Sequence, residues 1–119
     1  MTVKEFYEKI NGDYDGVMSR LMTEQRVTKF AVRFIDDTTY NEFFTAYNAG
    51  DIQTSFRMAH TMKGVASNLG FSELFTTSSA VTEDLRDGSP SSELSSLVKA
   101  MTESYNKVIN ALNEFKAEM

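Results

Sequence analysis

Asp51-Ile52-Gln53-Thr54-Ser55-Phe56-Arg57-Met58-Ala59-His60-Thr61-Met62-Lys63-Gly64-Val65-Ala66-Ser67-Asn68-Leu69-Gly70 reads as one helix with both ends marked. Asp51 suits an N-cap, because its carboxylate can accept from the free N–H groups of the first turn. Gly70 suits the position just past the last turn, where a left-handed residue closes a helix. Each residue between them advances about 100°, and this sorts the segment into two faces. Met58, Met62, Val65, Ala66 and Leu69 form an apolar stripe with Ala59 at its border. Gln53, Phe56, Arg57, His60, Lys63, Gly64, Ser67 and Asn68 lie on the other face. A helix apolar on one side needs helical neighbours there.

The flanking sequence supplies them. Upstream, Asn48-Ala49-Gly50 stops a segment bearing Phe43, Phe44 and Tyr47, and before that Val27, Phe30, Ala31, Phe34 and Ile35 share a face. The apolar phase jumps across Asp36-Asp37-Thr38-Thr39, which allows either one kinked helix over 24–49 or two. Val3, Phe6, Tyr7 and Ile10 give a short helix ending near Asn11-Gly12. Asp13 or Asp15 can cap another with Val17, Met18, Leu21 and Met22.

Downstream, Ser72 is a candidate cap for a helix carrying Leu74, Phe75, Ser78, Val81, Thr82 and Leu85, closed by Asp87-Gly88. Ser89-Pro90 fits an N-cap followed by proline at the first helical position. Leu94, Leu97, Val98, Met101, Tyr105, Val108, Ile109, Leu112 and Phe115 then keep a regular 3–4 spacing. Short connections favour antiparallel neighbours. The expected fold is all-α, an antiparallel up-and-down four-helix bundle over about 24–117 with one or two additional short N-terminal helices over about 2–22, in a single domain spanning 1–119.

Composition removes several chemistries. Twelve Lys+Arg against 17 Asp+Glu give a net charge of -5, which argues against nucleic acid or an anionic membrane as partner. With no Cys, thiolate zinc sites, iron–sulfur clusters and cysteine nucleophiles are excluded. The one His cannot make a two-His metal site, so no metal ligands are expected. The N-terminus lacks the basic start and apolar stretch of a signal peptide, and a cytoplasmic protein is expected.

His60 sits on the polar face of its helix, where a solvated side chain is the ordinary explanation. Gly64 argues against that explanation. Glycine inside a helix costs about 1 kcal/mol relative to alanine, and no turn here uses its backbone freedom. One turn from His60 on the same face, it leaves room for another molecule to approach the imidazole. Lys63 places an ammonium beside the ring, where an anion on that ring would sit. A neutral imidazole is a good nucleophile near neutral pH, and its outward nitrogen, Nε2, is the expected attacking atom. These residues suit phosphoryl transfer. The sequence has neither a GxxxxGK[ST] nucleotide loop nor a DFG-like metal aspartate, so a donor and its Mg²⁺ must come from a partner and no cofactor is expected on the chain itself.

Ala59-His60-Thr61-Met62-Lys63-Gly64-Val65-Ala66-Ser67-Asn68-Leu69-Gly70 closely resembles the signature of histidine-containing phosphotransfer domains, the intermediates of phosphorelays. The similarity extends upstream to Asn48-Ala49-Gly50-Asp51 and, in layout, over roughly 13–115. The resemblance implies that His60 is phosphorylated, that Lys63 assists, and that Gly64 clears space for a receiver domain. It implies that Gly70 ends the phosphorylated helix and that Phe56, Arg57, Ser67 and Asn68 contribute to docking. Met62 stands where Leu is usual, and Val65 where a small residue is frequent; both bear on packing. The implied partners are response-regulator receiver domains and a sensor or hybrid histidine kinase.

The leading reading is a stand-alone monomeric relay protein, since the chain begins at Met1 and has no room for a kinase or receiver domain. Two alternatives are a module phosphorylated directly by a kinase, as in chemotaxis kinases, and an unphosphorylated bundle that binds a partner helix through Phe56, Tyr14 or Tyr40.

Overall fold

In a computed structural model describing residues 1–119, the chain forms α1 (Val3–Lys9), α2 (Tyr14–Leu21), α3 (Glu24–Arg33), a 3-10 turn (Phe34–Asp36), α4 (Thr39–Asn48), α5 (Ile52–Leu69), α6 (Ser72–Leu85) and α7 (Leu94–Ala117). There is no strand, and the all-α expectation holds. The segment over 24–49 is two helices. Asp37 takes an extended conformation, and its carboxylate accepts from the Thr39 N–H at 2.8 Å, which breaks the winding between α3 and α4.

Polar side chains set most helix starts. Asp13, rather than Asp15, caps α2 by accepting from the Gly16 N–H at 3.0 Å, and Asp51 caps α5 by accepting from the Thr54 N–H at 3.1 Å. Thr2 and Glu5 close a capping box on α1. Two expected starts are displaced. Ser72 is the first residue of α6 and not its cap; Phe71 holds the cap position with no side-chain bond. Ser89-Pro90 does not begin α7, which starts at Leu94. Asp84 captures the Ser91 N–H at 3.1 Å, and the Ser91 hydroxyl then accepts from the Glu93 N–H at 3.1 Å. These bonds turn the chain across the end of α6 before it winds again.

Along its length α5 packs against α4 and α6, and α6 packs against α7. The connections at 49–51 and 70–71 are too short for anything but reversal, so the neighbours run antiparallel. Tyr40 of α4 stacks on Tyr105 of α7 with centroids 4.1 Å apart, and its hydroxyl lies 2.9 Å from that of Thr102. One apolar cluster runs from Val3 to Phe115. The N-terminal helices are part of it: Phe6 is fully buried between Phe71 and Phe115, at 6.2 and 5.7 Å.

These helices also take up the polar end of α5, whose last carbonyls have no partner within the helix. Tyr7 donates its hydroxyl to the Leu69 carbonyl at 2.6 Å. Arg20 donates to the carbonyls of Ser67 at 2.9 Å and Asn68 at 3.1 Å, and the Asp13 N–H donates to the Gly70 carbonyl at 2.9 Å. Gly70 has φ +73°, and a Cβ there would meet the Asp13 carbonyl oxygen at 2.8 Å, so this position requires glycine twice over.

Burial pushes the Tyr7 hydroxyl well above the usual tyrosine range. The folded state therefore holds Tyr7 neutral, while the unfolded chain ionises it near pH 10. Its contribution is fully present below about pH 10 and is lost as pH rises beyond that. Tyr7→Phe is expected to lower stability by about 1 kcal/mol at neutral pH, through the lost hydrogen bond. It is also expected to flatten the decline of the urea midpoint between about pH 10 and 12.

Candidate functional site

His60 lies exposed near the middle of α5. One turn earlier, Phe56 presents a half-buried ring whose centroid is 6.1 Å from that of the imidazole, with the planes 19° apart. Because α6 runs antiparallel, its last turn lies beside the first turns of α5. Ile52, Gln53 and Phe56 share a cleft there with Leu85, Arg86 and Gly88. The Arg86 guanidinium carbon stands 5.3 Å from the centre of the Phe56 ring. Arg86 is gripped by Glu83 through two bonds, Nη2 to Oε1 at 2.8 Å and Nε to Oε2 at 3.2 Å.

Hydrogen bonds and charge from Arg86 hold the Glu83 carboxyl below the usual carboxylate range, and the charge of Lys63 acts in the same direction. Lys63 on α5 is thus within electrostatic reach of Glu83 on α6. The ion pairs of the protein are Met1–Glu118, Lys9–Glu114, Arg86–Glu83 and Lys107–Glu73, so the half-buried Lys63 keeps a free ammonium. At Gly64 an added Cβ would meet nothing within 4 Å. Packing within the chain therefore does not require glycine at this position.

The buried stripe of α5 is rotated from the expected one. Ser55, Ala59, Met62 and Ala66 are buried, while Met58, Val65 and Leu69 are only half-buried. Ala59 lies inside the stripe and not at its border. The cause is the pair of flanking helices: contact with α6 draws the buried side toward it and brings Phe56 and Lys63 off the polar face to a half-buried edge. Ser55 fits in the core because its hydroxyl donates to the Asp51 carbonyl at 2.7 Å.

Phe56, His60 and Lys63 therefore gather on the α6 side, joined by Glu83 and Arg86. Arg57 and Gly64 lie on the opposite flank of His60, exposed, and Ser67 and Asn68 are exposed about two turns further along. The carbonyls of Ser67 and Asn68, held by Arg20, anchor the helix end. Sequence reasoning missed Glu83, Arg86 and Arg20. The first two had a faint signal, a Glu–Arg pair three apart on the last turn of α6; the third had none, because its partners are backbone atoms of a helix about 50 residues away.

The site can do a limited set of things chemically. It offers one exposed imidazole, an ammonium outside any ion pair one turn along the helix, and open space at the Cβ position of Gly64. No three His, Cys, Asp or Glu side chains gather where they could hold a metal ion. No helix is long and apolar enough to cross a membrane.

No curated protein and no solved structure matches the chain. The model of the Hpt domain family matches residues 34–115, from the 3-10 turn through nearly all of α7, and this stretch contains His60, Lys63, Gly64, Glu83 and Arg86. A match over most of the chain, on an all-helical bundle of the kind the signature around His60 implies, assigns the family: the chain belongs to the Hpt domain family.

Proposed function

We propose that this protein is a phosphorelay intermediate that accepts a phosphoryl group on His60 from the aspartyl phosphate of one receiver domain and passes it to another. The observation that carries this reading is the exposed imidazole on α5 with an unpaired ammonium and an open glycine one turn away, inside the segment matched to the family.

In the forward step the lone pair of Nε2 attacks phosphorus while the bond from phosphorus to the aspartyl oxygen breaks. With the imidazole proton on Nδ1, the products are a phosphohistidine bearing that proton and a free aspartate carboxylate. No proton leaves or enters, so the same path runs backwards to a second receiver. Lys63 stabilises the phosphoryl oxygens as a point charge in both directions. Mg²⁺ belongs to the receiver in this reading, and the partner kinase or hybrid kinase acts upstream of it.

Phosphotransfer from a panel of phosphorylated receiver domains, beside a histidine kinase supplied with ATP, tests the reading. Label arriving from a receiver supports it. Label arriving only from the kinase replaces the relay with direct kinase phosphorylation, and no label from either source leaves an unphosphorylated binding bundle. Lys63→Ala is expected to slow transfer by about 10–150-fold without abolishing it, the usual worth of one charged contact. Rapid-quench measurement of the transfer rate checks this, and an unchanged rate removes the role given to Lys63.

A further inference from the structure

The imidazole of His60 lies beside the ring of Phe56 in a nearly parallel, offset arrangement, with centroids 6.1 Å and planes 19° apart. An exposed side chain held only by its own rotamer preferences samples several orientations, and a nucleophile that must meet phosphorus in line loses rate for each unproductive one. Phe56 is suited to reduce that sampling. It is half-buried, packed on the core, and one helical turn from His60, so its ring is the less mobile of the pair.

The ring is itself backed from α6. Arg86 places its planar guanidinium 5.3 Å from the Phe56 centroid, and the two hydrogen bonds to Glu83 fix the plane of that guanidinium. Lysine in the place of Arg86 would keep the charge but lose the fork. We infer that Phe56 is a positioning residue for His60 and that the Glu83–Arg86 pair braces it, so that an aromatic shelf built from α5 and α6 sets the plane of the reacting imidazole. This rests on the phosphotransfer reading above and revises the docking role expected for Phe56. A docking contact would act on affinity for the partner, whereas a shelf acts on the rate once the partner is bound.

The test is phosphotransfer from a phosphorylated receiver at varied concentrations of this protein, run on the full chain and on Phe56→Leu, Phe56→Tyr and Arg86→Lys. Leucine keeps bulk and burial without a flat ring; tyrosine restores the ring. Phe56→Leu is expected to lower the maximal transfer rate about three- to tenfold with the half-saturating concentration within about twofold. Phe56→Tyr is expected to recover the rate, and Arg86→Lys to lower it about two- to fivefold.

In parallel, proton NMR reads the shelf without any partner. The ring protons of His60 are expected to shift in Phe56→Leu, which removes the ring current of Phe56, and to keep their wild-type positions in Phe56→Tyr. An unchanged maximal rate with a raised half-saturating concentration overturns the proposal in favour of docking. His60 proton shifts indifferent to Phe56→Leu overturn it as well. A wild-type chain that takes no phosphate from any receiver, yet shows the ring-current shift, would instead remove the phosphotransfer reading and leave the shelf as a structural contact.

Discussion

His60→Gln is expected to fold like the parent and to take up no phosphoryl group from any receiver or kinase. His60 is exposed, and surface substitutions away from caps and buried networks usually change stability by no more than about 0.5 kcal/mol. Loss of the stack on Phe56 adds a comparable amount at most, since that contact is half open to water. Glutamine carries an amide whose nitrogen lone pair is delocalised, so it cannot attack phosphorus. The effect on transfer is therefore total while the effect on folding is small. Thermal denaturation beside labelling with a phosphorylated receiver separates the two. Label taken up by His60→Gln would mean that the acceptor is another residue.

Gly64→Arg should produce the second-largest effect, and in opposite directions for folding and transfer. The helix interior is relieved of a glycine, worth about 1 kcal/mol, and a Cβ there meets no neighbour within 4 Å, so the protein is expected to become more stable. The arginine side chain then occupies the approach beside His60. Misplacing reactants by about 1 Å can cost roughly a hundredfold in rate, and an arginine between the partners displaces them further, so transfer should fall by at least about that factor. A higher melting temperature with lost transfer is the expected pair of results. Normal transfer in the same variant would show that nothing approaches over Gly64.

Much of this fold is legible in the amino-acid sequence. The cap at Asp51, the left-handed close at Gly70 and the 3–4 spacing of α7 are local signals, written in residues a few positions apart, and each helix they define is present. His60, Lys63 and Gly64 are legible as a candidate site for the same reason: one turn of one helix holds all three. What was not legible depends on neighbours distant in sequence. The rotation of the buried stripe on α5 follows from where α4 and α6 press, and no periodicity within α5 records that. Ser89 resembles a cap from residue type alone, yet Asp84 and Ser91 take the N–H groups that place the start of α7. Glu83 and Arg86 join His60 only because α6 folds back along α5.

The N-terminal helices carry the same lesson. They fall outside the segment matched to the family, and their sequence marks them only as short additional helices. In the fold they bury Phe6 and Tyr7 completely and hold the carbonyl end of α5 through Tyr7, Asp13 and Arg20. The helix that presents His60 is thus fixed at its far end by side chains that a reading of α5 alone does not reach.

The claim that His60 is the phosphoryl acceptor is tested most directly by locating the phosphate on the wild-type chain. After incubation with a phosphorylated receiver, the label should be stable in alkali and labile in acid, as expected of a phosphoramidate. Fragmentation of the labelled protein under alkaline conditions should place the whole added mass on His60. A label that survives acid, or that maps to a serine, threonine or aspartate, would contradict it.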